Sequence, residues 1–255
     1  MDATPCKTKP LCFFDPRWPV LYEDNHLLAV YKPSGLLVQG DRTGDGCLLD
    51  LGKQWLKERY HKPGKVFLAM VHRLDRPVAG VVLFARTSKA AGRLSKQFRE
   101  RTVQKHYLAV VSGTVSSESG RLIHHIERHD RLSRVVPAPT DSSQEARLRY
   151  TVLGTDRDKS LLRISLETGR RHQIRIQLAN LGYPILGDLR YGADAPLHGR
   201  QIALLAHELK VDHPTRGERL VFSSPIPQQW PWPGVDISDS QRPPWDWRAF
   251  ESIIN

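Results

Sequence analysis

The sequence has few cysteines and no long hydrophobic run. Its three cysteines, Cys6, Cys12 and Cys47, form no CxxC pair, so we expect neither a disulfide framework nor a cysteine zinc site. The apolar runs, such as residues 78–85, are far too short to cross a bilayer. Residues 1–5 are polar and include a proline, and they lack the apolar core of a secretion signal. These absences predict an intracellular, cytoplasmic protein without a membrane segment.

The composition is that of a folded, basic protein. Hydrophobic residues make up 40% of the 255-residue chain and charged residues 25%, which is enough for one sizeable core or two small ones. The formal net charge is +11. Such an excess favours a polyanionic partner, for example nucleic acid, although a merely soluble basic protein has the same composition.

Hydrophobic patterning predicts more strands than helices. The predicted strands cover residues 27–31, 66–71, 80–85, 107–111, 148–153, 161–166, 203–211 and 220–223, and the predicted helices cover 49–60, 88–101 (with Ser88 as its cap) and 171–181. Strands that outnumber helices without regular alternation predict an α+β fold, a largely antiparallel mixed central sheet with flanking helices. We expect one main domain at residues 20–227, an N-terminal extension at 1–19 and a Pro/Trp-rich tail at 228–255.

One acidic residue lies in an unusual setting. Asp75 stands between Arg73 and Arg76 where a predicted strand meets a turn, and Pro77 ends regular pairing. Nearby cations keep a carboxylate ionised, which suits a nucleophile or a base of low proton affinity. The alternative interpretation is a cluster of surface ion pairs beside a turn, which would have the same local sequence.

A second group of charged residues begins the third predicted helix. Ile174, Leu178 and Leu181 share one face of this helix and are expected to pack inward. Arg171 and Arg175 are four residues apart and are expected on a common side. Because the helix dipole disfavours cations at a helix start, they indicate an anionic partner, either RNA phosphate or a protein carboxylate. A solvated basic face is the alternative.

Several stretches together resemble the RluA-type pseudouridine synthase family. In the family's order they are YKPSG at 31–35, HRLD at 72–75, KHYLA at 105–109, TGRRHQIR at 168–175, YPILGD at 183–188, and AHEL at 206–209 followed by His213-Pro214. The resemblance covers roughly residues 20–227. The family's Thr-Ser pair after the aspartate is replaced by Val78-Ala79, although Gly80 is kept, and Leu205 stands where the family has histidine.

The resemblance implies that the main domain is catalytic and isomerises uridine in RNA to pseudouridine. It implies the catalytic residues Asp75, Tyr107 and Arg175, with Arg175 paired to Asp75. It also implies that Arg73 fills the space left by a flipped base. The remaining residues that we assign to substrate binding are His72, Arg170 and Arg171. Since the reaction needs no redox step or group donor, and no dinucleotide or phosphate-loop motif is present, we expect no cofactor and no metal.

Two roles stay open at this stage. Asp75 either attacks the anomeric carbon or removes a proton from the neighbouring ribose carbon. Tyr107 is either only a stacking platform for the uracil or also helps, through its phenol oxygen, to remove the proton from carbon 5. We prefer the second role, since no other group in the matched stretches is clearly suited to that step.

The expected substrate is a structured stem-loop of rRNA or tRNA. Some family members carry an additional N-terminal RNA-binding module, but only about twenty residues precede the first predicted strand, too few for an independent domain. We therefore expect the single domain to bind RNA by itself, as a monomer.

Three other functions fit parts of the sequence. A protein that only binds RNA accounts for the charge but not for the setting of Asp75. A glycosidic hydrolase needs a second carboxylate, for which Glu167 and Asp188 are candidates. A metalloenzyme could use histidines, but the cluster His124, His125 and His129 lacks the spacing of a zinc motif and is expected to face solvent or RNA.

Overall fold

The computed structural model describes residues 20–129, 132–227 and 230–232. The predicted extension at 1–19 and most of the predicted tail lie outside the described residues. Of the tail, Trp230 and Trp232 are described, and both pack against the larger hydrophobic core. The Lys159 ammonium lies 5.6 Å from the centre of the Trp232 ring.

One sheet of eleven strands organises the described residues. Its spatial order is β1-β2-β4-β10-β5-β9-β8-β6-β7, with β3 beside β4 and β11 beside β10. Among the named strands, only β4 and β10 pair in parallel, which confirms the predicted α+β fold with a largely antiparallel mixed sheet. The strands are β1 (Val20–Glu23), β2 (Leu27–Lys32), β3 (Ala69–Met70), β4 (Ala79–Ala85), β5 (Gln104–Ser112), β6 (Ser119–His129), β7 (Leu132–Val136), β8 (Ser143–Asp156), β9 (Lys159–Leu166), β10 (Leu204–Asp212) and β11 (Arg219–Ser223).

The helices cover the two faces of this sheet. They are α1 (Leu48–Arg59), α2 (Ser88–Glu100) and α3 (Gln173–Asn180). Side chains alternate between the faces of a strand. Along β2, Leu28 and Val30 join the larger core with α1 and α3, whereas Leu27 and Ala29 join the smaller core with α2. Both sides of the central strands are therefore buried.

The third helix is shorter than predicted. It begins at Gln173 because His172 adopts a left-handed conformation, with φ 54° and ψ 22°. Arg171 therefore lies outside the helix, and the prediction that it shares a helical side with Arg175 is wrong. Ile174 and Leu178 are buried as predicted, but Leu181 follows the last helical residue and is 37% exposed.

Other element boundaries also differ from the prediction. The strand predicted at 66–71 is reduced to Ala69–Met70. The cap of α2 is Thr87, whose hydroxyl accepts a hydrogen bond from the amide of Ala90 at 3.2 Å, so Ser88 is the first helical residue and not the cap. The strands β1, β6 and β7 were not predicted. β6 has the sequence SGRLIHHIERH, whose charges hide its alternation, and it forms by pairing with β8.

No helix of the described residues is long and apolar enough to cross a membrane. Within the same residues, no group of three or more potential metal ligands converges. His124 of the histidine cluster contacts α3 instead, where its Nδ1 lies 3.1 Å from Nε2 of Gln177.

Candidate active site

Asp75 lies in the loop between β3 and β4. The turn is closed by the amide of Val78, which donates to the carbonyl of Asp75 at 3.0 Å. The Asp75 side chain is 27% exposed. The loop therefore presents a carboxylate to a cleft, as its position before Pro77 predicts.

A buried lysine anchors this loop to the segment after β2. The Nζ atom of Lys32 donates to the carbonyls of Pro33 and Leu36, each at 2.8 Å, and to that of Arg76 at 3.1 Å. Lys32 is 0% exposed. Burial lowers its pKa to about 7, although the negative charge of Asp75 acts in the opposite direction. Carbonyl oxygens, and not a carboxylate, are thus its direct partners.

Arg175 connects two carboxylates. Its Nε and Nη2 donate to the two oxygens of Asp188 at 2.6 and 2.7 Å, and its Nη1 donates to Oδ2 of Asp75 at 3.1 Å. Burial opposes the charge on Arg175, but the hydrogen bonds and charges of Asp188 and Asp75 raise its pKa above the ordinary value. The pair between Arg175 and Asp75 that the resemblance implies is present. Of the two anionic partners left open for Arg175, the partner is a protein carboxylate.

His172 is a second neighbour of Asp75. Its Nε2 lies 3.7 Å from the same oxygen, Oδ2 of Asp75, and its Nδ1 lies 2.7 Å from the hydroxyl of Tyr191. His172 is 8% exposed, and this burial lowers its pKa to about 4 despite the charge of Asp75. This shift favours the neutral form of the ring at physiological pH.

Asp75 lines two cavities. The larger has a volume of about 990 Å³ and the smaller about 530 Å³. Residues on the wall of both are Arg73, Leu74, Asp75, His172 and Arg175. Basic side chains line both cavities. Those of the larger are Arg76, Arg171 and Arg190, and those of the smaller are Arg99, Arg101, Lys105 and Arg170. Cationic side chains outnumber the carboxylates on these walls, which belong to Asp41, Asp75, Asp188 and Glu167, and this excess suits an anionic substrate.

Tyr107 lines the smaller cavity with Asp75. It lies on β5, where it pairs with Ala206 of β10 and Ile164 of β9. Burial, and next the charge of Asp75, raise the pKa of Tyr107 well above its ordinary value. The phenol is thus protonated at neutral pH, which weighs against a phenolate base in the unliganded protein.

The predicted substrate-binding residues have different surroundings. Arg73 is exposed at the junction of the cavities, and Arg171 lines the larger one. Arg170 lines the smaller cavity while its Nε donates to the carbonyl of Glu145 at 3.0 Å. All three remain candidates for RNA contact.

His72 is bound mainly to the protein. Its Nε2 accepts a hydrogen bond from the amide of Leu83 at 2.9 Å, and its ring stacks on Phe98 at 5.0 Å between centres. Burial, together with the charge of Lys105, lowers its pKa to about 3. These contacts anchor the start of the loop that carries Asp75, and a substrate contact by His72 stays a prediction.

The departures from the family pattern fit the packing. Val78 and Ala79 are 3% and 4% exposed within the larger core, so apolar side chains fit where the family has hydroxyls. Leu205 is fully buried in the same core. Gly80 has φ 131°, and a Cβ there would lie 2.2 Å from the carbonyl oxygen of Ala206, so only glycine fits where β4 pairs with β10.

Neither carboxylate considered for a hydrolase is unpaired. Glu167 binds Arg121 at 2.8 Å and Arg149 at 2.9 Å, and these hydrogen bonds lower its pKa. Both carboxylate oxygens of Asp188 accept hydrogen bonds from Arg175. Neither Glu167 nor Asp188 is therefore available as the second carboxylate that a glycosidic hydrolase would need beside Asp75.

Comparison with known proteins identifies the family. The family model described as RNA pseudouridylate synthase matches residues 26–180. The ribosomal large subunit pseudouridine synthase D of Nitrosomonas europaea is 36% identical over 217 residues, which are 82% of this chain and 62% of that protein. The protein of the same name from Pseudomonas aeruginosa is 34% identical over 84% of this chain and 69% of its own length.

Solved structures agree with this result. Human RNA pseudouridylate synthase domain containing 1 has a TM-score of 0.65 at 26% identity, covering 82% of this chain and 83% of that one. Human RNA pseudouridylate synthase domain containing 4 has the same fold, with a TM-score of 0.71 at 24% identity, covering 83% and 90%. The chain belongs to the RNA pseudouridylate synthase family, isomerases that convert uridine in RNA to pseudouridine. Within that family its curated relatives include synthases of the D type, of whose length it spans about two thirds.

Sequence reasoning missed three residues around Asp75. Asp188 was considered only as a hydrolase carboxylate, and His172 and Tyr191 were given no role. Asp188 and His172 lie in matched stretches, so a signal existed: a buried arginine near a helix start needs a carboxylate, and YPILGD supplies one. Tyr191 lies outside every matched stretch and only the fold reveals it.

Proposed function

We propose that this chain is an RNA pseudouridine synthase in which Asp75 acts on the ribose of a flipped uridine. The observation that carries the proposal is the Asp75 carboxylate at the junction of two basic cavities, fixed through one oxygen by Arg175. Both contacts of Asp75 with Arg175 and His172 fall on Oδ2. Oδ1 is thus the oxygen that we assign to the substrate.

The reaction breaks the bond from uracil nitrogen 1 to the anomeric carbon and forms a bond from carbon 5 to the same carbon. Carbon 5 loses its proton and nitrogen 1 gains one, so no other reactant is consumed. Asp75 either bonds to the anomeric carbon transiently or removes the proton from the next ribose carbon, and both routes need an ionised carboxylate. Arg175 donates to Asp75 at 3.1 Å, and such a hydrogen bond is strongest to an ionised carboxylate.

Tyr107 and Arg73 are proposed to accommodate base flipping. Tyr107 faces the smaller cavity and offers an aromatic surface for the uracil, while the exposed Arg73 is long enough to occupy the space that the base leaves. Removing a base from its stack costs a few kcal/mol, which both contacts help to offset. The raised pKa of Tyr107 favours the role of a platform and hydrogen-bonding phenol over that of a phenolate base.

RNA phosphates are the proposed partners of the remaining cations. Lys105 illustrates the excess: burial, and next the charges of Arg101 and Arg170, lower its pKa to about 8. An anion in the smaller cavity relieves this repulsion. We propose rRNA or tRNA stem-loops as substrates, and the names of the bacterial relatives make large-subunit rRNA the first to test. We further propose a monomeric, cytoplasmic enzyme, and sedimentation of the purified protein tests the first point.

Asp75→Asn keeps the shape of the side chain and removes its charge, so it tests the proposal directly. Pseudouridine is mapped in total RNA from cells that lack the protein, after incubation with wild type or variant. We expect wild type to modify discrete uridines and the variant to modify none while it still binds RNA. Near wild-type modification by Asp75→Asn contradicts the assignment. Release of free uracil by wild type identifies hydrolysis instead.

A further inference from the structure

His172 and Tyr191 form a hydrogen-bonded pair beside Asp75 that the proposed chemistry does not use. Tyr191 belongs to a short 3₁₀ turn at Leu189–Tyr191, directly after Asp188. Its hydroxyl accepts a hydrogen bond from the amide of Ser133 at 3.0 Å and lies 2.7 Å from Nδ1 of His172. Its ring also lies under the Arg175 guanidinium, 5.0 Å from the ring centre. Tyr191 therefore contacts both neighbours of Asp75.

The contacts of His172 with Tyr191 and Asp75 together indicate which of its nitrogens carries the proton. A phenol has one proton to donate. The Tyr191 oxygen accepts from the Ser133 amide, and we assign its own proton to Nδ1 of His172, because the opposite assignment would turn an unprotonated Nε2 toward Oδ2 of Asp75. A neutral imidazole with an unprotonated Nδ1 carries its proton on Nε2. Nε2 is the atom that faces Oδ2 of Asp75.

Main-chain geometry fixes His172 in this place. Its φ of 54° is rare for a residue with a side chain, and such a conformation persists only where surrounding contacts hold it. Ser133 also holds the backbone next to His172, since its hydroxyl donates to the carbonyl of Arg171 at 3.1 Å. The 3.7 Å from Nε2 to Asp75 is longer than a hydrogen bond, but such contacts in unliganded sites commonly tighten when substrate binds.

We propose that His172 is a second positioning residue for Asp75, which Tyr191 holds as the Nε2–H tautomer so that it donates to Oδ2. Arg175 and His172 then fix one carboxylate oxygen from two directions and leave Oδ1 for the ribose. In this role His172 acts through Asp75 and not directly on the reacting atoms. The expected effect on the reaction rate rests on the proposed function, whereas the tautomer assignment does not.

Two substitutions at position 172 separate the hydrogen bond from packing. His172→Gln keeps an N–H donor at about the reach of Nε2, and His172→Met has similar bulk without a donor. Neither residue favours the left-handed conformation, so their strain is matched. We expect the single-turnover rate at saturating RNA to fall about tenfold in His172→Met, as for the loss of one hydrogen bond to a charged group, and His172→Gln to recover most of it. The dissociation constants for RNA should agree within about threefold.

Spectroscopy reads the tautomer without any turnover. A long-range ¹H–¹⁵N correlation spectrum of the histidine rings, with the His172 signals assigned by their loss in His172→Gln, should show an Nε2–H ring in wild type. Tyr191→Phe removes the donor to Nδ1 and should give a mixture of both tautomers. An Nδ1–H ring in wild type, or equal rates for the folded Gln and Met variants, overturns the proposal. A wild type that forms no pseudouridine while its ring is Nε2–H contradicts the proposed function and leaves the tautomer assignment standing.

Discussion

Asp188→Asn should destabilise the protein strongly because it leaves a buried arginine short of one charge. The side chains of Asp188 and Arg175 are 1% and 4% exposed. Removing one partner of a buried pair costs about 3–5 kcal/mol, and Asp75 still compensates part of the Arg175 charge, so we expect the lower end, about 3 kcal/mol. In a domain of this size that loss corresponds to a fall of about 6–12 °C in the unfolding midpoint.

The same substitution should also slow catalysis. The amide of the Asp188→Asn variant has one carbonyl oxygen to accept with, where the carboxylate has two, so the Arg175 fork loses its fixed orientation and Asp75 loses it in turn. We expect the single-turnover rate to fall at least about tenfold at a temperature where the variant is folded. Urea unfolding and single-turnover modification of one RNA measure the two effects on the same sample.

Asp212→Asn is the matched control. Asp212 binds Arg219 at 2.9 Å, but the two side chains are 46% and 35% exposed, so its loss should cost less than about 1 kcal/mol and leave the rate unchanged. If Asp188→Asn is as mild as Asp212→Asn in both assays, the carboxylate does not hold Arg175 and the reasoning is refuted.

Four further predictions test the site and its packing. Arg175→Lys keeps the charge but loses the planar fork, so the rate at saturating RNA should fall; an effect on affinity alone makes Arg175 a phosphate contact. Tyr107→Phe should retain most of the rate and Tyr107→Ala should lose it if the ring is the platform, whereas a stalled Tyr107→Phe would assign proton removal to the oxygen. Gly80→Ala should unfold the protein or sharply lower its thermal unfolding midpoint, because the new Cβ would clash with Ala206. An unfolding midpoint like that of wild type would refute the close approach of β4 and β10. The logarithm of RNA affinity should fall linearly with the logarithm of salt concentration, with a slope of several units, and a flat line would make the +11 charge incidental.

The sequence predicted the parts of the fold that local patterns determine. β4 is an apolar run buried on both faces, and α2 carries a clear amphipathic pattern, so both were found. β6 was missed because its charged residues hide the alternation, and because it forms by pairing with β8 on the far side of β7 in the sequence. The start of α3 was misplaced because contacts of His172 with Asp75 and Tyr191, which no local pattern records, hold its left-handed backbone.

The candidate site divides in the same way. Asp75 was proposed from a short contiguous motif, and its pairing with Arg175, which the structure contains, came from resemblance. The second carboxylate on Arg175 was not predicted, because Asp188 stands thirteen residues later and reaches the arginine only through the turn that follows α3. The role of Asp188 in holding Arg175 therefore depends on how the chain folds after α3, which residue type alone does not predict.

The position of Asp75 on the wall of both cavities has a consequence for how a polymer reaches it. A chain laid across the loop can send one flank into each cavity, with the reacting nucleotide between them at Arg73 and Asp75. No free end of the RNA has to be threaded into a closed tunnel. We therefore expect the enzyme to accept nucleotides in the interior of long, folded RNA and to release the strand sideways after the base has been rejoined.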